Sequence, residues 1–211
     1  MQQSLVVELV GASVEFEGGV GLPRTDLALG THEAVIVEGP SGAGKTTLLR
    51  LAVGLIAPTE GVVKLWGNAP SSPSNAKRAV GLTLDETRLW PWLSAERAVR
   101  VIAGLNGVEC APARARTLLA ELGLERASSS RISKLSQGMR RRVQVSGALA
   151  TGHDLFVLDE PTASLDPDTA EQVWLALEAR RSSGATLVVA SHDAGWRGLL
   201  QATDLSVGLA A

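Results

Sequence analysis

Ala34-Val35-Ile36-Val37-Glu38-Gly39-Pro40-Ser41-Gly42-Ala43-Gly44-Lys45-Thr46-Thr47-Leu48-Leu49 is the stretch that decides the fold of this chain. Ala34–Val37 is a continuous apolar run rich in β-branched residues, as a strand buried on both faces requires. Gly39–Thr46 fits the G-x-x-x-x-G-K-[ST] pattern without a gap. Beyond it, Leu48, Leu49, Leu51, Ala52 and Val53 spread apolar side chains around a helix that Gly54 can end. Strand, glycine-rich loop and helix therefore stand in the order that a phosphate-binding loop needs. The glycines' lack of side chains lets consecutive backbone N–H groups of the loop close around phosphate oxygens, and the helix N-terminus adds positive potential. Lys45 is expected to reach the β- and γ-phosphates, and the Thr46 hydroxyl to coordinate Mg²⁺.

Working outward, Leu135-Ser136-Gln137-Gly138 lies about two dozen residues ahead of Leu158-Asp159-Glu160. Leu155–Leu158 reads as a second buried strand that delivers Asp159 and Glu160 at its carboxyl end, where ligands bind in open α/β sheets. Asp159 is placed to hold Mg²⁺, and Glu160 to orient and polarise the water attacking a γ-phosphorus. His192 follows a third apolar run, Thr186–Ala190, and can donate a hydrogen bond to a γ-phosphate. His32 and His153 lack such a context and read as surface residues.

The remaining segments alternate strand and helix after a strand-rich start. Leu5–Val10 and Ser13–Glu17 suggest an N-terminal antiparallel pair; Leu27–Leu29, Val62–Trp66, Val80–Leu84 and Asp204–Val207 are further strand candidates. Ala95–Gly104, Pro112–Leu122, Gly138–Ala150 and Thr169–Arg181 read as helices, with Ser128–Ser130 a polar loop. The expected fold class is α/β: a P-loop NTPase with a largely parallel core sheet flanked by helices, an N-terminal antiparallel β part and a helical subdomain over about 94–150. One domain over 1–211 is expected. The sequence shows no repeat and no low-complexity linker.

Composition excludes several classes. Across 211 residues, hydrophobic residues make up 45%, charged residues 20%, and the formal charge is −2. That balance gives no electrostatic reason to expect a nucleic-acid partner. Cys110 is the single cysteine, so there is no intrachain disulfide and no cysteine metal cluster. The N-terminus lacks the pattern of a signal peptide, and no apolar run approaches the roughly 18 to 20 residues needed to span a bilayer.

Taken together, these motifs resemble the nucleotide-binding subunit of an ATP-binding cassette (ABC) transporter. The resemblance covers essentially the whole chain in family order: Phe16 at the adenine-stacking position, Gly39–Thr47, the signature Leu135–Gly138, Asp159-Glu160, the D-loop Ala163-Ser164-Leu165-Asp166, and the switch His192. It implies ATP and Mg²⁺ as ligands and ATP hydrolysis coupled to transmembrane transport. It implies a head-to-tail dimer, homomeric or heteromeric, in which Ser136, Gln137 and Gly138 complete the partner's site in trans. It also implies integral membrane permease subunits and a peripheral position on the cytoplasmic face of the cell membrane. The other reading within the family is a soluble ABC ATPase of DNA repair or translation, whose usual coiled-coil insertion or second cassette is absent here. A P-loop kinase or GTPase is argued against by the signature and the Asp-Glu pair.

Several positions depart from the family pattern or stand apart from it. Asp85 occupies the place where a glutamine usually contacts Mg²⁺, and an aspartate is a good hard-oxygen ligand. Met139 replaces the glutamine that commonly ends the signature, in a form that resembles several exporter-type cassettes; helix packing is its plain role. The chain has no tyrosine, so Phe16 must supply adenine stacking. Trp90 and Trp92 flank Pro91 where the family receives its permease partner, Trp90 leaning towards the core. Arg140–Arg142 is expected to be a solvated helix face with one or two salt bridges.

Overall fold

The structure, a computed structural model, describes residues 4–72, 80–84, 88–151, 154–192 and 197–207. Asp85 and His153 lie outside the described residues, so their expected roles have no structural counterpart here.

Two sheets form the framework. In the first, β1 (Leu5–Phe16) pairs antiparallel with β2 (Gly19–Gly30) on one side and β4 (Glu60–Leu65) on the other. In the second, β5 (Gly81–Thr83), β6 (Leu155–Asp159), β7 (Thr186–Ala190), β3 (Ala34–Glu38) and β8 (Thr203–Ser206) lie side by side, every adjacent pair parallel.

The parallel strands are apolar throughout because both faces are covered. Successive side chains alternate across a strand. Ala34 and Ile36, Phe156 and Leu158, and Leu187 and Val189 enter a core shared with α2 (Ala95–Leu105), α3 (Pro112–Glu121), α4 (Gln137–Ala150) and α5 (Pro167–Ser182). Their neighbours Val35 and Val37, Leu155 and Val157, and Val188 and Ala190 enter a second core under the antiparallel sheet and α1 (Lys45–Ala52). Truncating such a side chain, as in Leu158→Ala, costs about 2–5 kcal/mol. A short helix, α6 (Arg197–Leu200), precedes β8.

Helix ends follow the sequence signals. Ser94 accepts from the Arg97 amide at 3.3 Å, Ser136 from the Met139 amide at 3.2 Å, and Asp166 from the Thr169 amide at 3.0 Å, each closing an N-terminus. Gly54, at φ +77°, takes the left-handed turn that ends α1.

Two expectations need correction. Leu5–Val10 and Ser13–Glu17 are not an antiparallel pair but the two ends of one strand, β1, whose partner is β2. Gly11 at φ +52° makes a register break between Leu9 and Ala12, and its amide is held by Asp26 Oδ1 at 2.6 Å. A bulge of this kind interrupts the alternation that a strand shows in sequence. Arg140–Arg142 is not a solvated face either: Arg140 is exposed, but Arg141 is buried and Arg142 is half-buried. Arg142 Nη1 donates to the Leu122 carbonyl at 2.9 Å and the Gly123 carbonyl at 3.4 Å, closing the end of α3. Among the described residues no helix is long and apolar enough to cross a membrane.

Candidate nucleotide site

The carboxyl ends of β3, β6 and β7 meet at one cavity of about 360 Å³, lined by Gly21, Ser41, Gly42, Gly44, Lys45 and Thr46 with Thr47, Asp159, Glu160 and His192. The loop after β3 is shaped by its glycines. Gly39, Gly42 and Gly44 stand at φ +149°, +82° and +98°. A Cβ on Gly44 would overlap the Gly21 carbonyl, and one on Gly39 the Val207 carbonyl. Ala43 is buried and its amide donates to the Pro40 carbonyl at 3.1 Å, which curls the loop. Gly44 caps α1 without a side-chain acceptor, and the first turn carries no acidic residue. The amide dipoles at this terminus are thus left to attract an anion.

Lys45 is 7% exposed, and its ammonium donates to the Gly39 and Pro40 carbonyls at 2.9 and 3.2 Å. It also stands 3.3 Å from His192 Nε2. Thr46 Oγ1 donates to Asp159 Oδ2 at 2.7 Å, and Asp159 is 2% exposed. A hydroxyl and a carboxylate side by side are hard oxygen donors that suit Mg²⁺, which takes few protein ligands and fills its shell with phosphate and water. Among the described residues no group of three or more His, Cys, Asp or Glu converges on a metal.

Glu160 sits just past β6 at φ +47°, a strained backbone costing about 1–3 kcal/mol. Its amide donates to the Ala190 carbonyl at 2.8 Å, extending the ladder to β7 and bringing Glu160 next to His192. The His192 amide reaches Glu160 Oε2 at 3.4 Å. His192 Nε2 lies 3.3 Å from Oε1, close enough for electrostatic attraction, yet Oε1 is buried and accepts no aligned hydrogen bond. Burial raises the Glu160 carboxyl above its ordinary 4.5, against the lowering effect of His192 and Lys45.

Phe16 is 52% exposed and so is no core residue. Its ring lies over Gly21, where any Cβ would overlap it, and Gly21 in turn lines the phosphate cavity. Gly21 escaped the sequence reading. Its signal is a glycine five residues after an aromatic, too weak without the fold to show why a side chain is barred.

The signature residues lie elsewhere. Ser136 and Gln137 are exposed at the start of α4, and none of Leu135–Gly138 lines the phosphate cavity. Gly138 instead backs onto the loop after Glu160: its Cβ would stand 2.9 Å from the Ser164 carbonyl and from Leu165 Cδ2. Ser164 is at φ +65°. Met139 is partly buried against the helical core, in its packing role. Trp92 is 67% exposed, while Trp90 is half-buried. His32 is exposed in a turn, as expected of a surface residue.

Fold and site define a P-loop nucleoside-triphosphatase with an added antiparallel sheet and a helical lobe carrying the signature. The sequence profile of the family described as ABC transporter matches residues 22–163. The chain belongs to the ABC transporter family, among its ATP-binding proteins. It is 38% identical over 182 residues to "Lipoprotein-releasing system ATP-binding protein LolD 1" of Rhodospirillum rubrum, covering 82% of this chain and 80% of that one. It is 34% identical over 209 residues to "Taurine import ATP-binding protein TauB" of Pseudomonas aeruginosa, covering 96% and 78%. Against "Fe(3+) ions import ATP-binding protein FbpC" of Streptomyces avermitilis it is 36% identical over 194 residues, spanning 56% of that relative's length. The "ATP-binding cassette MJ0796 bound to ADP and Pi", a dimeric structure, superposes with a TM-score of 0.85 at 25% identity, over 96% of this chain and 94% of the other. The expected fold class therefore holds.

Proposed function

We propose that this chain is the ATP-hydrolysing subunit of an ABC transporter, working as a head-to-tail dimer against separate membrane permease subunits. The observation that carries hydrolysis is the position of Glu160 on the wall of the cavity shared by Lys45, Thr46 and Asp159, with its Oε1 buried, 3.3 Å from His192 Nε2, and in no aligned hydrogen bond among the described residues. A carboxylate so placed can accept a proton from a water directed at a γ-phosphorus.

The roles follow from position. The loop amides of Gly39–Thr47 and the Lys45 ammonium bind the phosphates; Lys45 exchanges its present carbonyl acceptors for phosphate oxygens. Thr46 and Asp159 would hold Mg²⁺, which neutralises charge on the phosphate oxygens when bound. Glu160 orients the attacking water, with His192 donating to the γ-phosphate from the neighbouring strand end. Phe16 offers its exposed ring to the adenine. Ser136, Gln137 and Gly138 face the nucleotide of a second chain, supported by their exposure and by their absence from this chain's own cavity. Residues 94–150 act as the lobe that carries the signature within a single unit, 1–211. The dimeric MJ0796 cassette and relatives named as import and release ATP-binding proteins support the dimer and work at a membrane, and we place the chain on its cytoplasmic face. ATP favours the closed dimer and hydrolysis releases it, a population shift driven by differential affinity.

Glu160→Gln tests this reading. Nucleotide binding should persist and a stable ATP-bound dimer accumulate, while turnover falls at least about 10²-fold. Normal steady-state hydrolysis in that variant would overturn the assignment.

A further inference from the structure

Charge is divided unevenly along this chain. Residues 94–150 hold ten Lys and Arg against four Asp and Glu, whereas the rest of the chain holds ten against eighteen. The helical lobe is therefore basic and the remainder acidic, although the formal charge of the whole is only −2. The segregation is strongest around the signature: six Lys and Arg and no carboxylate lie between Glu125 and Asp154. Arg131 and Lys134, just ahead of Ser136, are both exposed.

The opposite sign rims the phosphate cavity. Glu15 and Glu17 flank Phe16 at the tip of the β1–β2 hairpin, where Glu15 pairs with Val20 and Phe16 with Gly19. Both acidic residues are exposed, and residues 15–21 contain no cation. The Phe16 ring lies over Gly21, a lining residue of the cavity, so the tip stands beside the place for a nucleotide. Carboxylates there repel a triphosphate in an isolated chain, and cations carried over the site by a second chain relieve that repulsion.

We propose that Lys134, with Arg131 behind it, lies against Glu17 and Glu15 of a second copy of this chain, so that charge orients the two copies head to tail. This rests on the reading of the chain as a head-to-tail dimer and adds the residues that select that arrangement. Ser136 placed over the partner's phosphate cavity brings Lys134, two residues earlier, towards the hairpin tip at that cavity's rim. Head to tail, each basic lobe meets an acidic core, and the favourable contact is made twice. Head to head, lobe would face lobe, and like charges reject that pairing. Charges of this kind at a rim act on encounter and register more than on the depth of binding.

The test measures dimerisation of the full chain with ATP by analytical ultracentrifugation, in the Glu160→Gln background that stops turnover. Added to it are Lys134→Glu, Glu17→Lys, the two combined, and Arg114→Glu. Arg114 is an exposed cation on α3 that lines a different cavity, beside the amino ends of β6 and β7. Lys134→Glu and Glu17→Lys should each raise the dimer dissociation constant about 10-fold, since each reversal acts twice in a symmetric dimer. Arg114→Glu should stay within about 2-fold of the background. The combined variant restores opposite charges and should regain most of the lost affinity, as coupled neighbours do in a double-mutant cycle. If the Glu160→Gln chain forms no dimer with ATP, the head-to-tail reading fails and the charge proposal with it. If the dimer forms and both reversals match Arg114→Glu, that reading stands and the charge proposal falls. If Lys134→Glu weakens the dimer and Glu17→Lys does not rescue it, Lys134 acts on the nucleotide, which also overturns the pairing.

Discussion

Thr46 Oγ1 and Asp159 Oδ2 are joined by a 2.7 Å hydrogen bond that ties the helix after the phosphate loop to the end of β6. Both oxygens are therefore within reach of one small cation. Asp159→Asn keeps shape and an acceptor oxygen but removes the charge. Hydrolysis should drop by about 10²-fold or more, whereas nucleotide binding in excess chelator should change only a few-fold. A fluorescent-nucleotide titration with chelator, set beside a Mg²⁺ titration of turnover, separates these outcomes. Equal losses in both would mean that Asp159 acts on the loop and not on the metal.

Glu160 predicts a stability signature independent of catalysis. Burial raises its folded carboxyl above 4.5, so between that value and the raised one the folded state binds more protons than the unfolded state. Stability then falls as pH rises through this window, and the loss persists at neutral pH. Glu160→Gln removes the titration. In the nucleotide-free protein the glutamine variant should melt above the wild type at pH 7 to 8, with the gap narrowing towards pH 4. A pH-independent gap would show that the carboxyl is not perturbed by burial.

The separation of Ser136 from the phosphate cavity predicts complementation between chains. Ser136→Glu spoils only the signature, and Lys45→Ala only the phosphate loop. Each variant alone should hydrolyse ATP at no more than a few per cent of the normal rate. Mixed one to one, half of the dimers should carry one intact composite site, so activity should return to a measurable fraction of wild type. Failure to recover in a mixture shown to exchange subunits would argue that Ser136 serves its own chain.

What was legible in the sequence divides along physical lines. Ala34–Val37, Leu155–Leu158 and Thr186–Ala190 announced themselves because burial on both faces demands unbroken apolar runs. The loop Gly39–Thr47 was readable because its chemistry is local. β1 was not read as one strand, since the Gly11 bulge and its Asp26 partner depend on a contact fifteen residues away. Gly21 and the Gly138–Ser164 approach were invisible for the same reason: a forbidden Cβ becomes evident only when the neighbour is in place. The arginine run misled because three adjacent charges on a helix point in three directions.

Arg142 is the member of that run whose contacts predict a measurable cost. Its Nη1 holds the carbonyls of Leu122 and Gly123 just after α3, while Asp166, at the start of α5, attracts its charge. Burial lowers the Arg142 pKa, and the Asp166 carboxylate opposes that effect. One turn earlier on α4, Gly138 touches Ser164 and Leu165, so the same helix meets the loop after Glu160 near both residues. Arg142→Met keeps the apolar stem but leaves the carbonyl of the buried Leu122 without this donor, and should lower stability by about 1–3 kcal/mol in urea unfolding. Arg142→Lys retains a single charged donor without the fork and should recover only part of that loss. Arg140→Met, on the exposed neighbour, should stay within about 0.5 kcal/mol of wild type. If Arg142→Met were as mild as Arg140→Met, the link from α4 to the end of α3 would carry no weight in the fold.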